Sequence, residues 1–191
     1  MNSIGRIVAA LFAVTVGQAA LAQQDPVKIA GLVELSGTGA TSGTNFDNGV
    51  KLAVKEINAA GGILGRKVEY TSGDTQSNPQ IAKALAQKAV DAGAYVVMGP
   101  VFSGSIMVSM AETKRAEIPN FTGGEAAAIT QQGNPYIFRT SFTQLTAMPK
   151  VARYFKDALG AKSVAMIWVN NDFGKGGRDT MAKELDKLGI K

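Results

Sequence analysis

The hydrophobic positions of this 191-residue chain alternate between two periods. Short runs rich in Val and Ile predict strands. Between them, apolar residues recur every three or four positions, which predicts amphipathic helices. The predicted strands are residues 27–35, 67–71, 95–98, 118–122, 136–140 and 163–169. Strands that alternate with helices favour a parallel sheet with helices on both faces, so the predicted fold class is α/β.

Residue types at the predicted helix ends agree with this pattern. Gly61 and Gly62 follow the first helix, where glycine is favoured. Asn78-Pro79 predicts an N-cap and a first-turn proline for the second helix. Ser103 is predicted to cap the third helix, and a short helical turn is predicted over residues 126–130. The apolar positions that define the helices are Phe46, Val50, Ala53, Val54, Ile57, Ile81, Leu85, Ala89, Val90, Ile106, Met107, Met110, Met148, Ala152, Phe155, Leu159, Met181, Leu185 and Leu188.

The first 22 residues have the organisation of an export signal. Arg6 is their only charged residue, residues 7–16 form an apolar run, and Ala20 and Ala22 stand at the −3 and −1 positions of a cleavage site. A membrane anchor is the alternative, but the run is shorter than the roughly 20 residues that span a bilayer. We therefore predict export to the periplasm with cleavage after Ala22, and no lipoprotein because no Cys follows the signal.

Composition excludes several classes of function. The chain has no Cys and no His, so disulfides, thiol nucleophiles, imidazole or thiolate metal sites and histidine-based catalytic triads are excluded. We predict no catalytic residue, no metal and no cofactor, and a binding protein is favoured over an enzyme. The formal net charge of +5 is spread along the chain without a basic cluster, so nucleic-acid binding is not predicted.

The region after residue 142 starts a new pattern. Residues 163–169 are predicted as an apolar strand between two helices, the beginning of a βα series that stops after one unit. A lone parallel strand leaves backbone groups unpaired and its faces uncovered. The strand therefore joins the first sheet or belongs to a second lobe, and we favour the second alternative. We predict a signal peptide over residues 1–22, a first ligand-binding lobe over 23–142 and the start of a second lobe over 143–191.

Four polar loops follow the predicted strands, at residues 36–44, 99–105, 122–126 and 170–177. Ligands of parallel α/β sheets bind beyond the carboxyl ends of the strands, which is where these loops lie. The second loop places two serine hydroxyls and a glycine at a helix N-terminus, which favours an anion. We predict that the Ser103 hydroxyl and the backbone N–H groups of residues 103–105 hold a ligand carboxylate. The alternative, that Ser103 only caps its helix, is compatible with this role.

Two further loops carry weaker candidates. Gly123 and Gly124 allow a close approach of backbone and ligand, and the alternative is an ordinary strand-to-helix turn. Phe173 is flanked by Asn, Asp and Gly, so we predict it in a loop, facing either a ligand or the core.

The glycines between Gly37 and Gly43 suggest a dinucleotide-binding loop, but the match is poor. Their spacing departs from G-x-G-x-x-G, and the helix is predicted to start after Gly43. No acidic residue ends the predicted second strand, because Asp74 lies further along. We favour a flexible loop with turn glycines.

Several motifs together resemble a known family. They are Leu35-Ser36-Gly37, Gly49-Val-Lys-Leu-Ala-Val-Lys-Glu-Ile-Asn-Ala-Ala-Gly-Gly-Ile63, Gly65-Arg-Lys-Val, Asp74-Thr-Gln-Ser-Asn-Pro-Gln80, Met98-Gly-Pro-Val-Phe-Ser-Gly-Ser105, Arg139-Thr-Ser and Asn171-Asp-Phe-Gly174. In an exported chain, they resemble the periplasmic leucine/isoleucine/valine-binding family, the type I solute-binding proteins of ABC transporters. The resemblance covers residues 27–191 and implies a two-lobed fold of which the second lobe is only begun.

The resemblance implies a protein that closes on a small ligand and presents it to an ABC permease in the inner membrane. In the family, the loop matching Ser103 binds the carboxylate of an amino acid. The loop matching residues 123–126 offers a carbonyl to the ammonium group and an N–H to the carboxylate. An aromatic residue matching Phe173 packs on the ligand, and the first loop, near Ser42, lines the side-chain pocket. The predicted ligand-binding residues are Ser42, Phe102, Ser103, Gly104, Ser105, Gly123, Gly124, Glu125, Ala126 and Phe173.

The chain departs from the family pattern at three places. Amino-acid binders usually carry Thr near Glu125 and Ala126, Tyr in place of Phe173, and a bulky residue near Ser42. Two ligand classes therefore stay open, an amino acid and an aromatic or other organic carboxylate. A sensor of the same architecture, and a dinucleotide-dependent α/β enzyme, are the alternative functions. The export signal and the poor glycine pattern count against the enzyme.

Overall fold

The computed structural model describes residues 25–191, so the predicted export signal and its cleavage site lie outside the described residues. Five parallel strands form one sheet in the order β2-β1-β3-β4-β5. The strands are β1 Val27–Val33, β2 Val68–Asp74, β3 Val96–Met98, β4 Asn120–Thr122 and β5 Ile137–Arg139. All their carboxyl ends meet at one edge of the sheet.

Five helices connect and follow these strands. They are α1 Ala40–Ala59, α2 Pro79–Asp91, α3 Ser103–Arg115, α4 Gln144–Asp157 and α5 Asp172–Lys187, with 3₁₀ turns at Gly37–Gly39 and Ala127–Thr130. The predicted N-cap of α2 is confirmed, because the Asn78 side chain accepts hydrogen bonds from the N–H groups of Gln80 and Ile81. Among residues 25–191, no helix is long and apolar enough to cross a membrane.

Helices cover both faces of the sheet, which confirms the predicted α/β class. On one face, Leu32 of β1 packs with Ala86 and Ala89 of α2. The small alanine side chains let the helix approach the strands closely. On the other face, Gly31 lies against Tyr70, whose hydroxyl donates to Asp47 of α1 at 2.8 Å. Since neighbouring residues of a strand point to opposite faces, α1 and α2 lie on opposite sides.

The contact of α1 with the sheet is more polar than predicted. Asp47 is 2% exposed, accepts from Tyr70 and forms an ion pair with Lys51 at 2.6 Å. Burial and the Asp47 carboxylate raise the pKa of Tyr70. By contrast, Ala53 and Ile57, which were predicted on the apolar face of this helix, are exposed. The buried positions of α1 are Gly43 and Asp47.

The predicted strand over residues 163–169 is wrong. Within residues 25–191, the segment forms no strand and pairs with none of the five strands of the sheet. The N–H of Val164 donates to the Lys191 carbonyl at 2.7 Å, and the N–H of Lys191 donates to the Lys162 carbonyl at 3.0 Å. Val164 and Met166 pack on α4 and α5 in a separate hydrophobic cluster, which is consistent with a region distinct from the five-stranded sheet.

Candidate functional site

A cleft of about 570 Å³ lies at the carboxyl edge of the sheet, between the loops after the strands and the start of α5. Eight predicted ligand-binding residues line it, namely Ser42, Phe102, Ser103, Gly104, Ser105, Gly123, Glu125 and Phe173. The other two, Gly124 and Ala126, are buried and do not line the cleft. The structure therefore brings most of the predicted set together, and their roles in binding stay predictions.

Ser103 does not cap α3 as predicted. Phe102 occupies the N-cap position without a side-chain hydrogen bond, and Ser103 is the first helical residue. The Ser103 hydroxyl instead accepts a hydrogen bond from the N–H of Ala126 at 3.2 Å. This bond ties the loop after β4 to the start of α3, and it leaves the hydroxyl proton available to an acceptor in the cleft.

Hydrogen-bonding capacity at the start of α3 is not met by the protein. The N–H groups of Ser103, Gly104 and Ser105 have no acceptor within residues 25–191. The Ser105 side chain is 1% exposed, and its hydroxyl has no partner in that part of the chain. An unpaired buried hydroxyl costs about 1–3 kcal/mol. Together with the positive end of the helix dipole, these groups favour an anion at the start of α3.

Glu34, which was not among the predicted site residues, holds the segment that leads into α3. Its side chain is fully buried, and its two carboxylate oxygens accept from the N–H groups of Val101 at 3.1 Å and Phe102 at 3.0 Å. Burial raises the pKa of Glu34, and the hydrogen bonds from Phe102 and Val101 offset only part of this effect. The signal that could have revealed Glu34 was an acidic residue in a predicted strand whose only other charged residue is Lys28.

Asp74 closes β2, so the expectation that no acid ends this strand is wrong. The strand runs in register with β1 from Val68 to Asp74, past the predicted end at residue 71. The Asp74 carboxylate accepts from the Leu35 and Ser36 N–H groups at 2.9 and 3.1 Å and from the Ser36 hydroxyl at 2.6 Å. Partial burial raises the pKa of Asp74, but its hydrogen bonds outweigh this and lower the pKa overall.

These bonds also correct the prediction for the first loop. Gly37–Gly39 is a 3₁₀ turn, and α1 begins at Ala40 and not after Gly43, so the loop is ordered. The Gly39 N–H donates to the Ser77 hydroxyl at 2.9 Å, which joins the loop to the segment after β2. The predicted second strand was too short, so Ser77 and Pro79, which line the cleft, were not among the predicted site residues.

The loop after β4 packs tightly against the core. A Cβ atom at Gly124 would lie 2.9 Å from the Ile129 side chain and would overlap that of Ile106, so any larger residue requires both side chains to shift. The predicted helical turn that follows is confirmed as Ala127–Thr130. Arg139 of β5 donates to the carbonyls of Gly124 and Ala126, the latter at 2.9 Å. The hydrogen bonds from Arg139 therefore hold the loop in place, and Gly123 and Glu125 line the cleft.

Phe173 lies in the first turn of α5, not in a loop as predicted. The Asn171 side chain caps this helix by accepting from the Gly174 N–H at 3.0 Å. The Phe173 ring is 41% exposed and lines the cleft, and the Phe173 carbonyl accepts from the Gln144 amide at 2.7 Å. Of the two interpretations left open by the sequence, the structure favours the cleft over the core.

Comparisons with known proteins point to one family. The family model described as "Periplasmic binding protein" matches residues 26–191. The chain is 32% identical over 171 residues to the leucine-specific-binding protein of Salmonella typhimurium, covering 89% of this chain and 46% of that protein. It is 29% identical over 160 residues to the Leu/Ile/Val-binding protein homolog 1 of Brucella abortus, covering 83% and 43%. The chain thus spans just under half the length of these relatives.

Solved structures share the fold. The branched-chain amino acid transporter substrate binding protein LivJ of Streptococcus pneumoniae, in complex with isoleucine, has a TM-score of 0.79 at 30% identity. The match covers 83% of this chain and 46% of that one. An ABC transporter solute binding protein of R. palustris, in complex with 4-hydroxybenzoate, has a TM-score of 0.78 at 27% identity, covering 87% and 45%. The family resemblance and the fold predicted from the sequence are confirmed by these matches.

Proposed function

The chain belongs to the periplasmic binding protein family, and from that premise we propose that it is the solute-binding component of an ABC importer. It binds a small carboxylate in the cleft between a first lobe, residues 23–142, and the start of a second lobe, residues 143–191. It is exported, its signal is cleaved after Ala22, and it delivers its ligand to a permease in the inner membrane. No catalytic step is part of this function.

The observation that carries the proposal is the unmet hydrogen-bonding capacity at the start of α3. The three free N–H groups and the unpartnered Ser105 hydroxyl belong to residues that line the cleft, together with the aromatic residues Phe102 and Phe173. A carboxylate supplies acceptors for these donors, and the rings cover the apolar part of the ligand. Isoleucine and 4-hydroxybenzoate, found in the two similar structures, both carry a carboxylate.

Ser103→Ala tests this proposal. We expect ligand affinity to fall by about 5- to 150-fold, because a charge-assisted hydrogen bond of about 1–3 kcal/mol is lost. The measurement is isothermal titration calorimetry with L-leucine and with 4-hydroxybenzoate, supported by thermal unfolding. Bound ligand should raise the free energy of unfolding by about 2.7 kcal/mol at a hundredfold excess over Kd.

Ser109→Ala is the matched control. Ser109 is a buried serine of the same helix whose hydroxyl donates to the Ile106 carbonyl at 3.4 Å, and it does not line the cleft. Its removal should leave affinity within twofold of the original. Equal affinities in the original protein and Ser103→Ala would refute the anion site, and stabilisation by NAD alone would refute the transport function.

A further inference from the structure

The carbonyl groups of the loop after β4 are already engaged by the protein. The Gly123 carbonyl accepts from the Ser141 hydroxyl at 2.8 Å, and the Gly124 carbonyl accepts from Arg139. The Glu125 carbonyl accepts from the Gln144 N–H at 3.1 Å. The Ala126 carbonyl accepts both from Arg139 and from the Ile129 N–H. Each of these four consecutive carbonyls therefore already accepts at least one hydrogen bond from the protein.

The Glu125 side chain is in the opposite situation. It lines the cleft beside the start of α3, since the neighbouring Ala126 N–H is bonded to the Ser103 hydroxyl. Within residues 25–191, its carboxylate forms no hydrogen bond and no ion pair. It is also the only ionisable side chain among the described residues that line the cleft. An unpaired carboxyl group is therefore available in the same cleft as the start of α3.

No cation within residues 25–191 forms an ion pair with this carboxylate. Arg139 of β5 is the nearest cation, but its guanidinium donates to two carbonyls and to the Thr130 hydroxyl. Glu34, directly after β1, is engaged by two backbone N–H groups. Asp172, in the first turn of α5, lies close to Gly104 and adds a second negative charge near the cleft. A ligand that is only an anion is repelled by these carboxylates.

We infer that the Glu125 carboxylate sets the specificity of the cleft by receiving a cationic group of the ligand. This inference rests on the proposed binding of a carboxylate at the start of α3. A zwitterion can pair with both groups, because its carboxylate accepts from the N–H groups of α3 and its ammonium group donates to Glu125. A simple carboxylate of the same size pairs only with the N–H groups of α3, and it places its negative charge close to that of Glu125.

The same arrangement links the binding of simple anions to protonation of Glu125. Burial raises the pKa of Glu125, and Arg139 lowers it by a smaller amount. An anion beside the group disfavours the carboxylate further, so the bound state takes up a proton. The affinity for a simple carboxylate should therefore rise as the pH falls towards the pKa of Glu125. A zwitterion is bound best when Glu125 is ionised, so its affinity should fall over the same range.

Glu125→Gln tests the inference with two matched probes, L-leucine and 4-methylpentanoate, which differ only in the ammonium group. Calorimetry on the purified chain at neutral pH should show that the original protein prefers leucine by at least about tenfold, the worth of one well-placed charge contact. In Glu125→Gln, leucine affinity should fall by about tenfold and 4-methylpentanoate affinity should rise, which removes the preference. Glu125→Asp, which keeps the charge, should retain a preference for leucine. The exposed Glu56 supplies the control Glu56→Gln, which should leave both affinities unchanged.

The outcomes separate this inference from the proposed function. If the original protein binds the probes and Glu125→Gln leaves their affinity ratio and its pH dependence unchanged, the role of Glu125 is refuted while carboxylate binding stands. If Ser103→Ala also changes neither affinity, the proposed function fails as well. Thermal unfolding curves of the variants without ligand establish that each is folded, so a lost affinity is assigned to the cleft.

Discussion

Replacing Gly43 by alanine is expected to lower the free energy of unfolding by about 2–3 kcal/mol. Gly43 lies in the first turn of α1, where the helix crosses the end of β1. A Cβ atom there would overlap the Glu34 carbonyl oxygen and lie 2.7 Å from the Glu34 nitrogen. Neither group can move without disturbing the strand. This overlap outweighs the gain of about 1 kcal/mol that alanine brings to a helix interior.

Gly49→Ala is the matched control for this prediction. Gly49 belongs to the same helix, and no atom lies within 4 Å of the position that its Cβ would take. Here only the helix preference acts, so urea unfolding should show a stabilisation of about 0.5–1 kcal/mol. Equal effects of the two substitutions would contradict the close approach of α1 to the end of β1.

Glu34→Leu is expected to destabilise the protein by about 2–5 kcal/mol. Leucine has a similar volume but leaves the Val101 and Phe102 N–H groups without acceptors in the interior. Each unpaired donor costs about 1–3 kcal/mol. Because these residues lead directly into α3, the free N–H groups of the cleft should also lose their orientation, and ligand affinity should fall at least about tenfold.

Glu34→Gln separates hydrogen bonding from volume. Its amide oxygen can accept from one of the two N–H groups, so about half of the lost stability should return. Denaturant unfolding of the three proteins measures the series, and calorimetry measures the affinities. Stabilities within about 0.5 kcal/mol of the original for both variants would mean that Glu34 does not hold this segment.

Local chemistry was enough to predict much of the fold. Asn78-Pro79 marks the start of α2 because capping depends on the residues at that position alone. The alternation of apolar strands and helices gave the parallel sheet, since this pattern has few other stable arrangements. The cleft could be placed for the same reason, because the carboxyl ends of parallel strands meet at one edge.

Other features depend on contacts distant in sequence. The apolar segment over residues 163–169 has the composition of a strand, but a strand needs a hydrogen-bonding neighbour along its length, and within residues 25–191 the only residue distant in sequence that bonds to its backbone is Lys191. Ser103 is a residue type that commonly caps helices, yet its hydroxyl accepts from the Ala126 N–H, 23 positions away. Glu34 accepts from N–H groups 67 and 68 positions away. Asp74 accepts from N–H groups 38 and 39 positions away. No local pattern identifies these distant partners.

The central claim is that the first N–H groups of α3 bind the carboxylate of the ligand. Amide NMR of the ¹⁵N-labelled protein, titrated with L-leucine and with 4-hydroxybenzoate, tests it most directly. We predict that the amide protons of Ser103, Gly104 and Ser105 shift to higher frequency and saturate with the calorimetric Kd, while that of the distant Gly61 does not move. Saturable binding that leaves those three amides unshifted would contradict the account.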